Sequence, residues 1–331
     1  MRANRVLVTV PHLHDREAPY FRRLESAGLE VVRVIGKDRT LSEDELIDAL
    51  PGGFGTFAGS EPYTDRVFKS ATDLRVIGRW GVGFDAIDVD AATRHHVAVC
   101  VAAGGNHEAV ADYAFALMAA LQRGLRDNTT MVCAGRWQTT FRPGLWRATV
   151  GIVGLGRIGK AVARRCRGFD MRILAAEPVP DMAFVREHGI ELLPLEELLR
   201  RSDLATLHCP LSPATRHMIN RERLALMKPT AYLVNTARGP LVDEAALHEA
   251  LASERIAGAG LDVFEQEPLL RSPLFTQEHV LLSPHIAGLD LTSEVGMADR
   301  AIDGILAVWE GRAPAAEYLL NPDATVALRG T

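Results

Sequence analysis

Short apolar runs alternate with helical patterns along the whole chain. The first run, RVLVTV from Arg5, is followed by a helical pattern that ends near Gly28 and by a second run, LEVVRVI. A further helix, LSEDELIDAL, and the runs FGTFAG and LRVIGR continue the series. Strands that alternate with helices form a parallel sheet with helices on its faces. The pattern therefore predicts an α/β fold.

Local end signals agree with these helices. Ser42 and Glu45 have the spacing of a capping box at the start of the second helix, and Gly28 stands where the first helix should stop. The series runs to about Cys100, where a short helix, DVDAATRHH, leads into a strand. We predict that the first sheet is complete at this point.

A long helix pattern from Asn106 to Arg123, with Asn106 as its cap, separates the first series from a second one. The last helix, roughly Ser293 to Gly311, is surplus to a six-stranded doubly wound sheet and is expected to return to the first domain. A chain of 331 residues usually forms more than one core. We predict a discontinuous domain of residues 1–101 and 290–331 and a second domain of residues 102–289.

A glycine-rich turn follows an apolar strand and opens an amphipathic helix in the segment from Thr149 to Pro178. Gly154 lets the chain turn off the strand, Gly156 lets the backbone approach a diphosphate, and Gly159 lets the helix pack close to the sheet. The N–H groups at the helix start bind the diphosphate. Three glycines alone are weak evidence, but strand, helix and second strand follow in order. The segment therefore predicts a dinucleotide-binding unit.

The acid at the end of the second strand indicates which dinucleotide binds. Glu177 falls about 20 residues after the turn, where a carboxylate accepts hydrogen bonds from both hydroxyls of the adenosine ribose. A 2′-phosphate beside Glu177 would place two anions together, and no Lys or Arg follows before Arg186. We predict NAD rather than NADP.

Composition excludes several other classes of protein. A net charge of −5 gives no basic surface for nucleic acid or for an anionic membrane. No apolar run is long enough to span a membrane or to form a signal-peptide core. The spacing of His and Cys predicts no metal site and no disulfide framework. The four cysteines are expected to be reduced thiols in the cytoplasm: Cys100, Cys133, Cys166 and Cys209.

Three residues that could carry acid/base chemistry fall just after strands of the second series. Arg238 follows AYLVNTA, Glu267 follows AGAGLDVF, and His285 follows VLLSP. The carboxyl ends of parallel strands share the sheet edge where ligands bind. An Arg can hold a carboxylate in bidentate fashion, and a carboxylate beside an imidazole favours the protonated ring and fixes its tautomer. Each residue alone could equally be a surface or packing residue, but together they predict an active site.

With these residues in place, the chain resembles the D-isomer-specific 2-hydroxyacid dehydrogenases, from about Leu74 to Met297. The motifs GLGRIG, LHCPLSPATRHMIN, NTARGPLVDEAAL, GAGLDVFEQEP and SPHIAG carry the resemblance in this order. It implies that Arg238 orients the substrate, His285 is the acid/base and Glu267 supports His285. It also implies two parallel-sheet domains, Rossmann-like and flavodoxin-like, with a cleft that the substrate domain closes. A homodimer with the long helix at its interface is implied as well.

The resemblance extends to further site residues. It implies that Asp262 holds the nicotinamide amide and that the backbone of Gly81, Val82 and Gly83 grips the substrate carboxylate, although a tight turn is the alternative for these glycines. Arg79 matches a position that can meet a substrate phosphate. The other residues that the resemblance places at the cofactor are Arg157, Ile158, Cys209, Pro210, Thr215, Thr236, Ala237 and Gly288.

The sequence leaves the substrate open. The chain is most similar to the short phosphoglycerate dehydrogenase-like branch, yet an expected Arg-Ser pair is replaced by residues 58–60, Ala-Gly-Ser. Glyoxylate or hydroxypyruvate reduction is therefore an alternative to 3-phosphoglycerate oxidation. A non-enzymatic NAD(H)-sensing protein on the same fold is a second alternative. Leu289 and Asp290 are expected to enlarge a loop beside the active site.

Overall fold

The computed structural model describes residues 3–10, 18–34 and 40–325, and it divides into two compact units. Unit 1 consists of Met1–Asn106 and Asp290–Thr331, and unit 2 consists of His107–Leu289. Both units are parallel α/β sheets, with five strands in unit 1 and seven in unit 2. The predicted fold class is confirmed.

The first segment of unit 1 alternates strands and helices without interruption. Its sheet has the strand order β2-β1-β3-β4-β5. The elements are β1 (Arg5–Val8), α1 (Phe21–Ser26), β2 (Glu30–Arg33), α2 (Glu43–Ala49), β3 (Gly53–Ala58), α3 (Asp65–Ser70), β4 (Val76–Arg79), α4 (Val89–Arg94) and β5 (Ala98–Val101).

The end signals in unit 1 act as the sequence predicts. Ser42 and Glu45 form a reciprocal capping box at the start of α2. Gly28 has φ +84°, a conformation that favours glycine, and it follows the end of α1. The predicted first helix, EAPYFRRLESAG, starts at Glu17 and the run LEVVRVI ends at Ile35, and these two residues lie outside the described residues.

Unit 2 contains the remaining strands and most of the remaining helices. Its sheet has the order β12-β11-β10-β9-β6-β7-β8. The elements are α5 (His107–Arg123), α6 (Leu125–Cys133), β6 (Thr149–Val153), α7 (Arg157–Gly168), β7 (Arg172–Ala176), α8 (Met182–His188), β8 (Glu191–Leu192), α9 (Leu195–Arg201), β9 (Leu204–Leu207), α10 (Arg221–Leu224), β10 (Tyr232–Asn235), α11 (Glu244–Ala252), β11 (Gly258–Leu261) and β12 (Val280–Leu282).

The sheet of unit 2 has one strand more than predicted. The two-residue strand β8 pairs in parallel with Leu174 and Ala175 of β7 and extends the edge. The order in which the chain adds its strands reverses between β6 and β9, although all strands are parallel. The carboxyl ends of the strands at such a switch point form the ligand crevice of open α/β sheets.

The long helix α5 begins where the sequence predicts, but without the predicted cap. Asn106 precedes the helix, and its Oδ1 is buried and accepts no hydrogen bond from the described residues. The predicted side-chain cap is therefore wrong. Ala111, Ala114 and Met118 of α5 are fully buried in the core of unit 2.

The last helix, α12 (Leu291–Trp309), packs on the sheet of unit 1. The indole of Trp309 lies edge-on to Phe54 of β3, with ring centroids 5.0 Å apart. Leu289 and Asp290 lie in the loop between β12 and α12, and the enlargement of this loop stays a prediction. Asp290 ends this loop, because it forms a capping box with Ser293 and α12 begins at the next residue.

Candidate active site

The glycine turn of unit 2 is built around close backbone contacts. Gly154 has φ +93°, and a Cβ there would lie 2.7 Å from the backbone nitrogen of Cys209. A Cβ at Gly159, in the first turn of α7, would lie 2.1 Å from the carbonyl oxygen of Gly154. These two glycines therefore bring β6, α7 and the chain after β9 together at one point.

The same turn keeps an open face. A Cβ at Gly156 would meet no atom within 4 Å, so the backbone is accessible there. Within the described part of the chain, the N–H groups of Gly156, Arg157 and Ile158 donate to no acceptor. Free N–H groups at a helix start attract anions, and this arrangement fits a diphosphate.

We predict that Gly159→Ala destabilises the protein by about 1–3 kcal/mol, because the new methyl group overlaps the Gly154 carbonyl oxygen. Gly168→Ala is the matched control, since it lies in the same helix and its Cβ would meet nothing within 4 Å. This control should be neutral or stabilising by up to ~1 kcal/mol. Urea unfolding measures both changes, and equal stability of the two variants would contradict the packing role of Gly159.

Glu177 lies at the end of β7, directly beside the glycine turn. Its Oε2 accepts a hydrogen bond from the Leu155 N–H at 2.7 Å, and its Oε1 accepts one from the Val179 N–H at 3.1 Å. The carboxylate is thus held at the turn by two backbone donors. A carboxylate has about four acceptor sites, which leaves capacity for ribose hydroxyls.

We predict that Glu177→Ala weakens NAD binding and relaxes discrimination against NADP by about tenfold, because the carboxylate that would repel a 2′-phosphate is removed. The measurement is the ratio of dissociation constants for NADH and NADPH. Glu187→Ala, an exposed acid on α8 of the same unit, is the control and should leave the ratio unchanged. An unchanged ratio in Glu177→Ala would remove this residue from cofactor selection.

The loop after β9 carries three of the predicted cofactor residues. Thr215 closes this loop, because its Oγ1 donates to the Pro210 carbonyl oxygen at 2.8 Å and accepts from the Ser212 N–H at 2.7 Å. Cys209 is partly buried, with its Sγ 3.5 Å from the Met218 Sδ. Burial and the charge of Glu177 raise the pKa of the Cys209 thiol to about 11. Cys209 is therefore a neutral thiol at physiological pH.

A second wall of the crevice follows β10. The Thr236 Oγ1 is buried and has no hydrogen-bond partner among the described residues. Ala237 is held by its N–H, which donates to the Asn235 Oδ1 at 3.0 Å. A buried hydroxyl without a partner at the carboxyl end of a strand fits a site whose ligand completes the hydrogen bonding. Together with the open face at Gly156, it makes this edge suitable for a dinucleotide.

Arg238 is held by backbone contacts on the same edge. The Asn235 side-chain amide donates to the Arg238 carbonyl oxygen at 2.8 Å, and the Arg238 Nη1 donates to the Ala237 carbonyl oxygen at 2.6 Å. Asn235 is buried and shapes the whole turn. The sequence analysis missed this role, although an Asn at a strand end before a turn is the signal of an Asx turn.

Glu267 and His285 form a hydrogen-bonded pair. The His285 Nδ1 lies 2.7 Å from the Glu267 Oε2, and the Phe264 N–H donates to the Glu267 Oε1 at 2.9 Å. Burial raises the pKa of Glu267, but the hydrogen bond and charge of His285, the Phe264 N–H and the Arg238 charge outweigh it, so the pKa is lowered overall. Glu267 is ionised near neutral pH. It occupies Nδ1 of the imidazole and leaves Nε2 for a substrate.

The backbone of His285 is held in an unusual conformation. Its φ is +56°, and its N–H donates to the carbonyl oxygens of Asp262 at 2.8 Å and Ser283 at 3.1 Å. Left-handed backbone at a bulky residue persists only where the surroundings fix it, and such residues concentrate at functional sites.

Asp262 holds the segment that carries His285. Its carboxylate is fully buried and accepts hydrogen bonds from the Ser283 Oγ at 2.6 Å, the Ile286 N–H at 3.0 Å and the Ala287 N–H at 2.8 Å. Three of its roughly four acceptor sites are therefore occupied. The expectation that Asp262 binds the nicotinamide amide stays a prediction. Its support of the 283–287 segment, Ser283 included, was missed by the sequence analysis. Gly288 follows that segment and is partly buried.

Unit 1 carries four of the residues predicted to bind the substrate, which are Arg79, Gly81, Val82 and Gly83. The N–H of Gly81, which has φ +142°, already donates to the Arg79 carbonyl oxygen at 2.9 Å, so a tight turn is present there. Within the described ranges, the N–H groups of Val82 and Gly83 donate to no acceptor. The Arg79 guanidinium contacts the Trp80 carbonyl oxygen and the Ser60 Oγ, the latter at 3.3 Å.

Comparison with known proteins decides the family. The family model described as D-isomer specific 2-hydroxyacid dehydrogenase, NAD binding domain, matches residues 115–287, which contain the glycine turn, Arg238, Glu267 and His285. The chain belongs to the D-isomer-specific 2-hydroxyacid dehydrogenases. The resemblance read from the motifs is confirmed, and so is NAD as the cofactor of this dehydrogenase.

Relatives of this dehydrogenase carry two different activities in their names. It is 43% identical over 262 residues to a glyoxylate reductase of Korarchaeum cryptofilum, covering 77% of this chain and 79% of the relative. It is 40% identical over 285 residues to a D-3-phosphoglycerate dehydrogenase of Methanocaldococcus jannaschii, covering 85% of this chain but 53% of that longer protein. A crystal structure of a Thermus thermophilus protein matches with a TM-score of 0.86 and 37% identity, covering 96% of this chain and 99% of the other.

The described residues were also compared with the requirements of a metal site and of a membrane-spanning helix. Among the described residues, no group of three or more His, Cys, Asp and Glu side chains could hold a metal ion. The helices of residues 3–10, 18–34 and 40–325 include none with the length and apolar content needed to cross a bilayer.

Proposed function

We propose that this dehydrogenase interconverts a small, unphosphorylated 2-oxo acid and its D-2-hydroxy acid, with NADH and NAD as cofactors. The observation that carries the proposal is the 2.7 Å hydrogen bond between His285 and Glu267, on the sheet edge that also holds Arg238. An acid/base pair and a cation on one edge are what reduction of a carbonyl in an anionic substrate requires.

The proposed cofactor contacts lie at the glycine turn and at the carboxyl ends of β7 and β10. The N–H groups from Gly156 to Ile158 would bind the diphosphate and Glu177 the adenosine ribose, and the buried Thr236 hydroxyl would gain a partner from the ligand. Cofactor contacts of Gly154, Pro210, Thr215, Ala237 and Gly288 belong to the same proposal. The bound nicotinamide supplies or accepts the hydride.

The protein's own residues handle the substrate and its proton. Arg238 holds the carboxylate and the 2-oxo group with its planar fork. In reduction, the Nε2 of His285 gives a proton to the carbonyl oxygen, and in oxidation it takes the proton back. Glu267 keeps Nδ1 of the ring protonated and stabilises the imidazolium. Because the same groups serve both directions, the concentrations of cofactor and substrate set the direction.

We assign unit 1 the role of substrate domain and unit 2 the role of NAD domain. The sequence predicts the first role for residues 1–101 and 290–331 and the second for residues 102–289. The free N–H groups of Val82 and Gly83 are suited to grip the substrate carboxylate. The Gly81 N–H is engaged in its own turn and is not part of this grip. An unphosphorylated substrate agrees with the contacts that Arg79 already makes and with the relatives named glyoxylate reductase.

The experiment is NADH oxidation, followed by nicotinamide absorbance, with a panel of 2-oxo acids. The panel contains glyoxylate, hydroxypyruvate, phosphohydroxypyruvate, pyruvate and 2-oxoglutarate. We expect glyoxylate or hydroxypyruvate to give the highest kcat/KM. Turnover of none of the five, with NADH still bound, would contradict the proposal and favour an NAD(H)-sensing protein.

A second copy of this chain is the proposed partner. The segment 125–146 of unit 2 exposes five large apolar side chains, and α6 within it buries none of its residues. Exposed apolar patches mark interaction surfaces, so we propose a homodimer that covers this segment. The five side chains are Leu125, Val132, Trp137, Phe141 and Trp146. A monomer in sedimentation equilibrium at micromolar concentration would contradict the proposed homodimer.

The cytoplasm is the proposed location of the protein, because its four cysteines are free thiols.

A further inference from the structure

A buried carboxyl group lies after β3, at the carboxyl edge of the unit 1 sheet. Glu61 is 0% exposed, and neither of its carboxyl oxygens has a hydrogen-bond partner among the described residues. The backbone leaves room for it, because a Cβ at Gly59 would lie 2.7 Å from the Glu61 Oε1. An ionised carboxylate without hydrogen bonds is strongly unfavourable in a protein interior unless another charge compensates it.

The neighbouring hydroxyl groups are engaged elsewhere. The Thr9 Oγ1, which follows β1, donates to the Phe57 carbonyl oxygen at 3.3 Å. The Tyr63 hydroxyl is hydrogen-bonded with the Thr56 Oγ1 at 3.0 Å. These hydroxyls therefore leave room for a nearby charge to compensate the Glu61 carboxylate.

Among the described residues, Arg79 at the end of the adjacent strand β4 provides a nearby charge. Its guanidinium contacts Ser60, the residue before Glu61, with the Nη2 3.3 Å from the Ser60 Oγ. A Cβ at Gly81 would lie within 2.4 Å of the Arg79 Nη1, which places the guanidinium against the turn that starts the predicted carboxylate grip. Burial raises the pKa of Glu61 overall, and the backbone around it, the Arg79 charge and the Thr9 hydroxyl oppose that rise only in part.

We propose that Glu61 is a positioning residue that neutralises Arg79 and thereby makes the dehydrogenase discriminate against substrates with a second anionic group. This inference rests on the proposed function, in which unit 1 binds the substrate. Arg79 is the position that could meet a phosphate. With a carboxylate beside it, the guanidinium offers a phosphate little net attraction, and the phosphate is repelled by Glu61.

The test compares kcat/KM for phosphohydroxypyruvate and for hydroxypyruvate, which differ by the phosphate alone. In Glu61→Gln, the ratio of phosphorylated to unphosphorylated substrate should rise by about tenfold or more, chiefly through a lower KM for phosphohydroxypyruvate. Adding Arg79→Met to this variant should abolish the rise. Glu30→Gln removes an exposed acid at the start of β2, on the amino edge of the same sheet, and should not change the ratio.

A purely structural role of Glu61 predicts a different result, because it would alter the rates with both substrates alike. A ratio within twofold of the wild-type value in Glu61→Gln would overturn the proposal, as would a wild-type preference for phosphohydroxypyruvate. If Glu61→Gln does not fold, Glu61→Met, an apolar residue of similar size, carries the same expectation.

A second readout separates this proposal from the proposed function. If no 2-oxo acid is reduced, the proposed function fails, and calorimetric titration of the NAD-bound protein with 3-phosphoglycerate and with glycerate still measures the discrimination. The Glu61→Gln variant should then gain about tenfold in affinity for 3-phosphoglycerate relative to glycerate. Equal relative affinities in wild type and variant would overturn the role of Glu61 independently of catalysis.

Discussion

His285→Ala should lower kcat by about 100-fold to 10,000-fold, the usual effect of removing a positioned acid/base, while NADH still binds. The reason is that the variant has no group to give the carbonyl oxygen a proton as the hydride arrives. The cofactor residues on the glycine turn and after β10 are untouched by the change. The measurements are steady-state kcat with the best 2-oxo acid and an NADH fluorescence titration.

His279 provides a matched control for His285 within unit 2. Both imidazoles are 47% exposed, and each has its Nδ1 near a carboxylate, at 3.1 Å from Asp127 for His279 and 2.7 Å from Glu267 for His285. His279→Ala should retain near-normal kcat, since it lies at the start of β12 and not at the carboxyl edge. Near-normal kcat in His285→Ala as well would refute the acid/base assignment.

Arg238→Lys should lower kcat/KM by about 10-fold to 100-fold, which corresponds to the loss of one or two charge-assisted hydrogen bonds. Lysine keeps the positive charge but cannot reproduce the planar fork that holds a carboxylate and a 2-oxo group together. No further change is expected through Glu267, whose pKa is held down in part by the Arg238 charge, because lysine preserves that charge.

The control for Arg238 is Arg271→Lys, at an exposed position of the same unit. It should leave kcat/KM unchanged. If Arg238→Lys is as active as the wild type, a point charge is sufficient at this position and bidentate binding of the substrate is excluded. If instead NADH affinity falls with kcat/KM, Arg238 acts on the cofactor rather than on the substrate.

The parts of the site that follow from local sequence were predictable. A glycine turn between a strand and a helix is set by short-range sterics, so the roles of Gly154, Gly156 and Gly159 follow from the order of residues alone. The carboxyl ends of parallel strands share an edge, and this alone brings Glu267 and His285 within reach of each other although 18 residues separate them.

Other features depend on tertiary contacts that no pattern encodes. Strand β8 has two residues and exists because β7 offers it a free edge. Asn106 has the right residue type for a cap, yet packing buries its Oδ1 without a donor. Asp262 looks in sequence like a ligand-binding acid, and only the structure shows three donors from a distant segment on its carboxylate. The burial of Glu61 was invisible for the same reason.

Direct hydride transfer to C2 of the substrate is tested by following deuterium from NADH labelled at C4 of the nicotinamide. The protein is incubated with hydroxypyruvate and each of the two C4 epimers of labelled NADH in turn, and the product is analysed by mass spectrometry and chiral chromatography. We expect D-glycerate that carries deuterium at C2 with one epimer and none with the other, with label transfer strongly reduced in His285→Ala. L-glycerate, or D-glycerate without deuterium from either epimer, would contradict direct hydride transfer to C2 at this site.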